Sequence, residues 1–181
     1  MNIPVQAKIF DNRSDRLLCL SEDSCVTSEG IDARNISLKS YSQTVEIRAS
    51  PEAVFDIISQ VENFSQYTKL IKSISKIKEK TYHWKAHLGA FPIEWDAVIL
   101  EEYRPWRFAW HSIKGFQNSG SYTLTPTPEG TSICFEMEYH LKTSFMEKAL
   151  SPLSDRYIKK LSQEILSAIK NRLEEGNKQD L

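Results

Sequence analysis

Between Thr81 and His140, apolar and polar residues alternate in five successive runs, separated by turn clusters at Gly89–Pro92, Arg104–Pro105, Gly115–Asn118 and Pro126–Gly130. Period two is the signature of a strand with one buried and one wet face, and close turns between such runs predict an antiparallel meander. Thr81–Leu88 sets Tyr82, Trp84, Ala86 and Leu88 on one face and His83, Lys85 and His87 on the other. Ile93–Glu102 groups Trp95, Ala97 and Ile99, and Arg107–Ser112 groups Phe108, Trp110 and Ser112. Gly120–Thr125 turns Tyr122 and Leu124 inward. Thr131–His140 alternates throughout, with Ile133, Phe135, Met137 and Tyr139 opposed to Ser132, Cys134, Glu136, Glu138 and His140. A weaker strand at Ile71–Lys78 and another at Tyr41–Arg48 bring the sheet to about seven strands.

Helix signals bracket this meander. Ser50 is placed as an N-cap with Pro51 at the first helical position, followed by an apolar stripe of Val54, Phe55, Ile58 and Val61. A second short helix is expected to hold Phe64 and Tyr67. At the C-terminal end, Leu150, Leu153, Tyr157, Leu161, Ile165, Ile169 and Leu173 recur at helical spacing, and Gly176 is a stop signal. Ser144-Phe-Met-Glu147 matches a capping box, whereas Pro152 either kinks the helix or marks its true start with Ser151 as cap. Strand, helix pair, six strands and long helix is an α+β order.

The first 39 residues read differently. Asp11-Asn-Arg-Ser-Asp-Arg16 is polar, and Ser21–Asn35 holds only scattered apolar residues; Arg16-Leu-Leu-Cys-Leu20 alone has strand or helix character. Residues 1–39 are therefore expected to form a poorly ordered arm, 40–176 the folded domain, and 177–181 a tail. At 40% hydrophobic and 26% charged residues, the whole is an ordinary globular composition. No apolar run approaches the roughly 20 residues of a membrane-spanning helix. Met1–Phe10 has no continuous apolar core of the kind a signal peptide carries. A net charge of −1 gives no bulk attraction for DNA. Cys19, Cys25 and Cys134 fit no zinc spacing and read as reduced thiols, which predicts a cytoplasmic protein.

Several segments in this order resemble a known family. They are Ala49-Ser-Pro-Glu-Ala-Val-Phe55, Val61-Glu-Asn-Phe64, Trp95-Asp-Ala-Val-Ile99, Arg104-Pro105, Phe108-Ala-Trp-His-Ser112, Asn118-Ser-Gly120 and Gly130-Thr131. From Tyr41 to Leu173 the chain resembles the START-like superfamily, in particular its polyketide cyclase/dehydrase-like branch, related to coenzyme Q-binding proteins and a ribosome-association toxin. The resemblance implies a helix-grip fold, a curved antiparallel sheet wrapped round the long C-terminal helix, and a family that hosts binders, cyclases and toxins. One stretch departs from the pattern. Where the toxin and coenzyme Q-binding relatives favour Pro and Trp-Cys after the first helix, this chain reads Phe64-Ser-Gln-Tyr-Thr-Lys-Leu70, which counts against the ribosome and strict quinone readings.

No catalytic set emerges from the residues. His83 and His87 on one strand face would stand about 13 Å apart, too far for one metal ion. Lys85 between them points to a solvated face. His111 and His140 fall on polar faces, as do Glu94 and Asp96, and Cys134 lies among carboxylates that disfavour a thiolate. No phosphate-cradling Gly loop opens a helix. Catalytic residues, metal and cofactor are accordingly assigned as none.

The aromatic inventory of the inner face is the sharper signal. Trp84, Trp95, Phe108, Trp110, Tyr122, Phe135, Met137 and Tyr139 would line a concave surface facing Leu153 and Tyr157 of the last helix, with Ser112, Tyr122 and Tyr139 as polar points. Such walls suit either a packed core or an apolar pocket, and the family resemblance favours the pocket. The leading reading is binding, transport or chaperoning of a hydrophobic small molecule such as an isoprenoid, quinone, pigment or lipid. The alternatives are a polyketide cyclase/dehydratase-type enzyme and a ribosome-associated interaction protein. Lys69, Lys72, Lys76, Lys78 and Lys80 form a basic run, either a solvated face or a peripheral contact with an anionic membrane.

Overall fold

The alternating runs become hydrogen-bonded ladders. The computed structural model describes residues 36–142 and 145–176, with side chains over 38–140 and 154–175. The strands are β1 (Ile36–Ile47), β2 (Ile71–Lys78), β3 (Thr81–Leu88), β4 (Phe91–Tyr103), β5 (Arg107–Gly115), β6 (Asn118–Thr127) and β7 (Gly130–Lys142). They form one antiparallel seven-stranded sheet in the order β1-β7-β6-β5-β4-β3-β2. β2 to β7 are a meander, and β1 closes onto β7 with Gln43 opposite Phe135 and Val45 opposite Ile133. β1 begins before the alternation at Tyr41 becomes legible. The remainder of the expected arm, residues 1–35, and the tail, 177–181, lie outside the described residues.

Two β-bulges shape the centre of the sheet. In the β4–β5 pair, Ile99 faces Trp110 and Glu101 faces Ala109, leaving Leu100 as the extra residue; Ile113 is extra on the β5 side. Both side chains are exposed. A bulge increases local twist and bends its strand, which helps to curve this long sheet.

Between β1 and β2 run α1 (Pro51–Ile58), a 3-10 turn (Val61–Asn63) and α2 (Phe64–Tyr67). Ser50 caps α1, its Oγ accepting from the Ala53 N–H at 3.3 Å, and Val54, Phe55 and Ile58 are buried. The fully buried Thr131 donates to the Ala49 carbonyl at 2.7 Å and fixes where β1 hands over to α1. Arg104, in the β4–β5 turn, bonds Asp56 and sits 5.7 Å over the Phe55 ring. That hydrogen bond holds the Asp56 carboxyl below its ordinary range.

The last element, α3 (Phe145–Gly176), is a single helix that passes through Pro152, so Ser151 is not its cap. Ser144 and the side chain of Leu153 lie outside the described residues. The stripe of Tyr157, Ile158, Leu161, Ile165, Leu166 and Ile169 is buried against the sheet. Along one side α3 is tied to β1: Ser162 donates to Gln43 at 2.8 Å, and Lys170 donates to the Glu46 carbonyl at 2.8 Å. Asp155 accepts from Lys39 of β1 at 2.8 Å and from Tyr139 of β7 at 2.5 Å. Along the other side, Thr68 bonds Glu164 and the Tyr157 hydroxyl donates to the Leu70 carbonyl at 3.3 Å. No helix among the described residues is long and apolar enough to cross a membrane.

Candidate functional site

Inward residues of every strand from β2 to β7 meet α2 and α3 round a partly enclosed cavity of about 50 Å³. Trp84, Trp95, Phe108, Trp110, Tyr122, Phe135 and Met137, all expected from the strand parity, line it. Further wall comes from Val61 of the 3-10 turn and Phe64 of α2, from Ile71, Ala97 and Ile99 of the sheet, and from Leu161 and Ile165 of α3. Strand parity alone puts Ala97 and Ile99 beside Trp95, and the helical stripe of α3 contains Leu161 and Ile165. Val61, Phe64 and Ile71 become wall residues only because the chain between β1 and β2 folds across the sheet.

The rings form a connected belt. Trp84 and Trp95 stack at 5.3 Å between centroids. Trp84 meets Phe64 at 6.3 Å, and Phe64 meets Tyr122 edge-on at 6.2 Å. Tyr122 then contacts Trp110 at 5.6 Å and Phe135 at 5.3 Å. Offset and edge contacts of this kind add to simple area burial and hold each ring in place.

Polar groups are few at the wall. Asn118, in the Asn118-Ser-Gly120 segment, is a wall residue that the turn reading of Gly115–Asn118 does not reveal. Its Oδ1 accepts from the Trp110 indole N–H at 3.1 Å and its Nδ2 donates to the Phe116 carbonyl at 2.9 Å. Three expected lining residues are not part of the wall. Ser112 accepts from the backbone N–H of Asn118 at 2.9 Å, so its hydroxyl serves the turn into β6. Tyr139 reaches Asp155 and Tyr157 reaches Leu70, each using its hydroxyl to fasten α3 rather than to face the cavity.

Burial pushes the hydroxyls of Tyr122 and Tyr157 up, and burial together with the Asp155 bond raises Tyr139 to about 12. Asp155 itself is pushed up by partial burial and pulled down further by Lys39 and Tyr139, for a net lowering. Among the described residues, no carboxylate, imidazole or thiol lines the cavity.

The outer face differs from expectation at one point. Asp96 is not freely solvated: its side chain is 17% exposed and pairs with His83 Nδ1 at 2.6 Å, while Glu94 approaches His83 Nε2 at 3.5 Å and Lys85 at 3.6 Å. These groups stand on adjacent strands β3 and β4, where His83 is directly opposite Asp96. Cys134 is also on the outer face, with Sγ 3.7 Å from the Ser42 hydroxyl. Among the described residues no cluster of His, Cys, Asp and Glu is arranged to hold a metal ion.

The five lysines lie on or beside β2, an edge of the sheet. Lys69 lines an open groove of about 390 Å³ between the α2–β2 link and α3, with Lys160 and Glu164 across from it. Lys72, Lys76, Lys78 and Lys80 are exposed.

Residues 39–174 match the family described as polyketide cyclase/dehydrase and lipid transport. The chain belongs to this family. Among solved structures, the chain is similar to the Zhui aromatase/cyclase of Streptomyces sp. R1128, at 10% identity and a TM-score of 0.65 over 76% of this chain and 94% of that one. It is similar to TTHA0849 of Thermus thermophilus at 18% identity and a TM-score of 0.65, over 77% and 99% of the two chains. A START superfamily protein from Mycobacterium smegmatis gives 15% identity and a TM-score of 0.60 over 75% and 97%. At these identities the likeness is one of fold, the helix-grip arrangement. No curated protein matches the sequence.

Proposed function

We propose that the protein binds a hydrophobic small molecule between the curved sheet and α3. The observation that carries this reading is the cavity wall: a connected belt of aromatic rings with aliphatic residues of α3 opposite, and no acid–base group among the described lining residues. Apolar walls with very few polar groups are the usual construction of small-molecule sites. A cyclase or dehydratase working by proton transfer would want an imidazole or carboxylate within reach of its substrate, so the described wall favours binding over that alternative.

Size refines the proposal. Sites for drug-sized ligands run from about 300 to 1,000 Å³, well above the 50 Å³ present. An isoprenoid, quinone, pigment or lipid therefore enters by moving α3 outward, and the bonds in its path are Thr68–Glu164 and Tyr157–Leu70. Burying about 200 Å² of apolar ligand surface is worth about 5 kcal/mol, enough to offset loss of the Tyr157 bond at about 1 kcal/mol and of the Thr68 bond to the Glu164 carboxylate at about 1.5–3 kcal/mol. Transport or chaperoning of the bound molecule would follow from that reversible opening.

Native mass spectrometry of the purified protein, with organic extraction of the same sample, tests the reading. A bound apolar molecule, or quenching of the cavity tryptophans by added hydrophobic probes, is the expected result. A ligand-free mass together with unchanged tryptophan emission across the probe series would refute it.

A further inference from the structure

Hydrophobic binding alone leaves one buried group unexplained. Tyr122 is 2% exposed, and its hydroxyl has no hydrogen-bond partner among the described residues; burial is the sole cause raising its pKa. Among the described residues, buried polar side-chain atoms sealed from open space all have partners. The Tyr122 oxygen therefore borders open volume, and the volume this residue lines is the cavity. Its ring is held by Phe64, Trp110 and Phe135. A phenylalanine would make the same ring contacts without leaving a hydroxyl unbonded in an apolar site, which is costly.

The neighbouring polar groups decide what could satisfy it. Asn118 already bonds Trp110 and the Phe116 carbonyl. The indole N–H of Trp95, a wall residue 6% exposed, is likewise without a partner among the described residues. An indole N–H donates only, and a phenol donates more readily than it accepts. The unmatched capacity of the wall is thus weighted towards donors. Among the described residues no Lys, Arg or His lines the cavity to neutralise a buried anion.

The geometry points to Tyr122 as the anchor that makes the cavity selective for neutral apolar molecules carrying a hydrogen-bond acceptor, such as a ketone, quinone or ester oxygen, over hydrocarbons and ionised acids. This rests on the binding reading and names the chemical class for the same site. The hydroxyl orients the guest by donating to its oxygen, and the aromatic belt takes up the rest.

Three one-ring probes of similar size separate the possibilities: acetophenone, ethylbenzene and benzoate, titrated into the full chain by calorimetry and by saturation-transfer NMR. Acetophenone should bind about 5- to 10-fold more tightly than ethylbenzene, the factor of one well-made hydrogen bond, and benzoate should bind least. In Tyr122→Phe the acetophenone advantage should fall to within about 2-fold. Thermal unfolding of the variant reports its folding, and the comparison within the unmodified protein does not depend on the variant. Equal affinity for ethylbenzene and acetophenone, or an advantage that survives in Tyr122→Phe, would overturn the anchor while leaving hydrophobic binding intact. Failure of all three probes to bind would remove the binding reading and the anchor with it.

Discussion

Gly120 lies directly beneath the Trp110 ring: a Cβ built on it would come within 2.5 Å of Trp110 Cζ2 and 2.6 Å of the Glu136 carbonyl oxygen. The indole packs against the bare backbone of the neighbouring strand, where Gly120 is opposite Trp110 in the β5–β6 register. Only glycine allows that approach. The Gly120→Ala variant should push Trp110 towards the cavity and strain β7, at a cost of about 1–3 kcal/mol. For a chain of this length each kcal/mol lowers the thermal midpoint by about 2–4 °C. Calorimetry with tryptophan emission checks both effects, and a wild-type midpoint would show that the ring and strand yield more easily than this packing implies.

Asn118 holds Trp110 from the other end. Asn118→Ala leaves the Trp110 N–H and the Phe116 carbonyl without these partners, and an unsatisfied buried group costs about 1–3 kcal/mol. Asn118→Asp restores an acceptor for the indole but turns a carboxylate oxygen towards the Phe116 carbonyl. Chemical denaturation should rank the wild type above both variants. If alanine proved neutral, water would have to be replacing the side chain.

The tyrosines predict the alkaline limit of stability. Burial, reinforced by the Asp155 bond against an opposing one from Ser154, raises Tyr139 from 10.0 to about 12. A raised folded-state value means that the neutral form contributes stability fully below pH ~10. That contribution is lost as pH rises towards 12. Tyr122 and Tyr157 shift in the same direction by burial alone. Ultraviolet titration should find these three withheld at pH 11 in the folded protein and released together on unfolding. Asp155→Asn should bring the Tyr139 transition down.

Asp155 predicts the opposite limb. Its folded-state pKa is net lowered from 3.8, so its pairing with Lys39 and Tyr139 contributes stability above that value and loses it as pH falls through the folded-state pKa. Stability measured below pH 4 should therefore decline less steeply in Asp155→Asn than in the wild type. Parallel acid limbs would assign acid sensitivity to other groups.

For the lysines, β2 offers a reason independent of any ligand. It is an edge strand, irregular in its pairing between Ile71 and Ser73 and again between Lys76 and Lys78. Charges and bulges are the usual devices against edge-to-edge pairing. Replacing Lys72, Lys76 and Lys78 with Gln should raise concentration-dependent self-association while moving stability by less than about 0.5 kcal/mol. Light scattering and sedimentation velocity test this. Salt-sensitive co-sedimentation of the wild type with anionic vesicles, lost in the same variant, would identify an additional membrane contact.

Much of this molecule was legible in its residues. The alternation in Thr131–His140 predetermines which side of β7 is buried, because side-chain direction along a strand depends on parity alone. Ser50-Pro51 likewise marks the start of α1, since a cap and a preset φ act locally. Parity placed Trp84, Trp95, Phe108, Trp110 and Tyr122 at the cavity for the same reason. What it could not supply was distance across the sheet and along α3. Whether an inward tyrosine stands in the cavity wall, as Tyr122 does, or spends its hydroxyl on a helix, as Tyr139 does, depends on how close α3 comes to each strand. Phe64 and Ile71 enter the wall only through the path of the chain between β1 and β2. Local sequence determines faces and caps because those interactions span a few residues; the cavity, its volume and the unmatched Tyr122 hydroxyl were decided by contacts between residues far apart in the chain, which only the packed tertiary structure brings together.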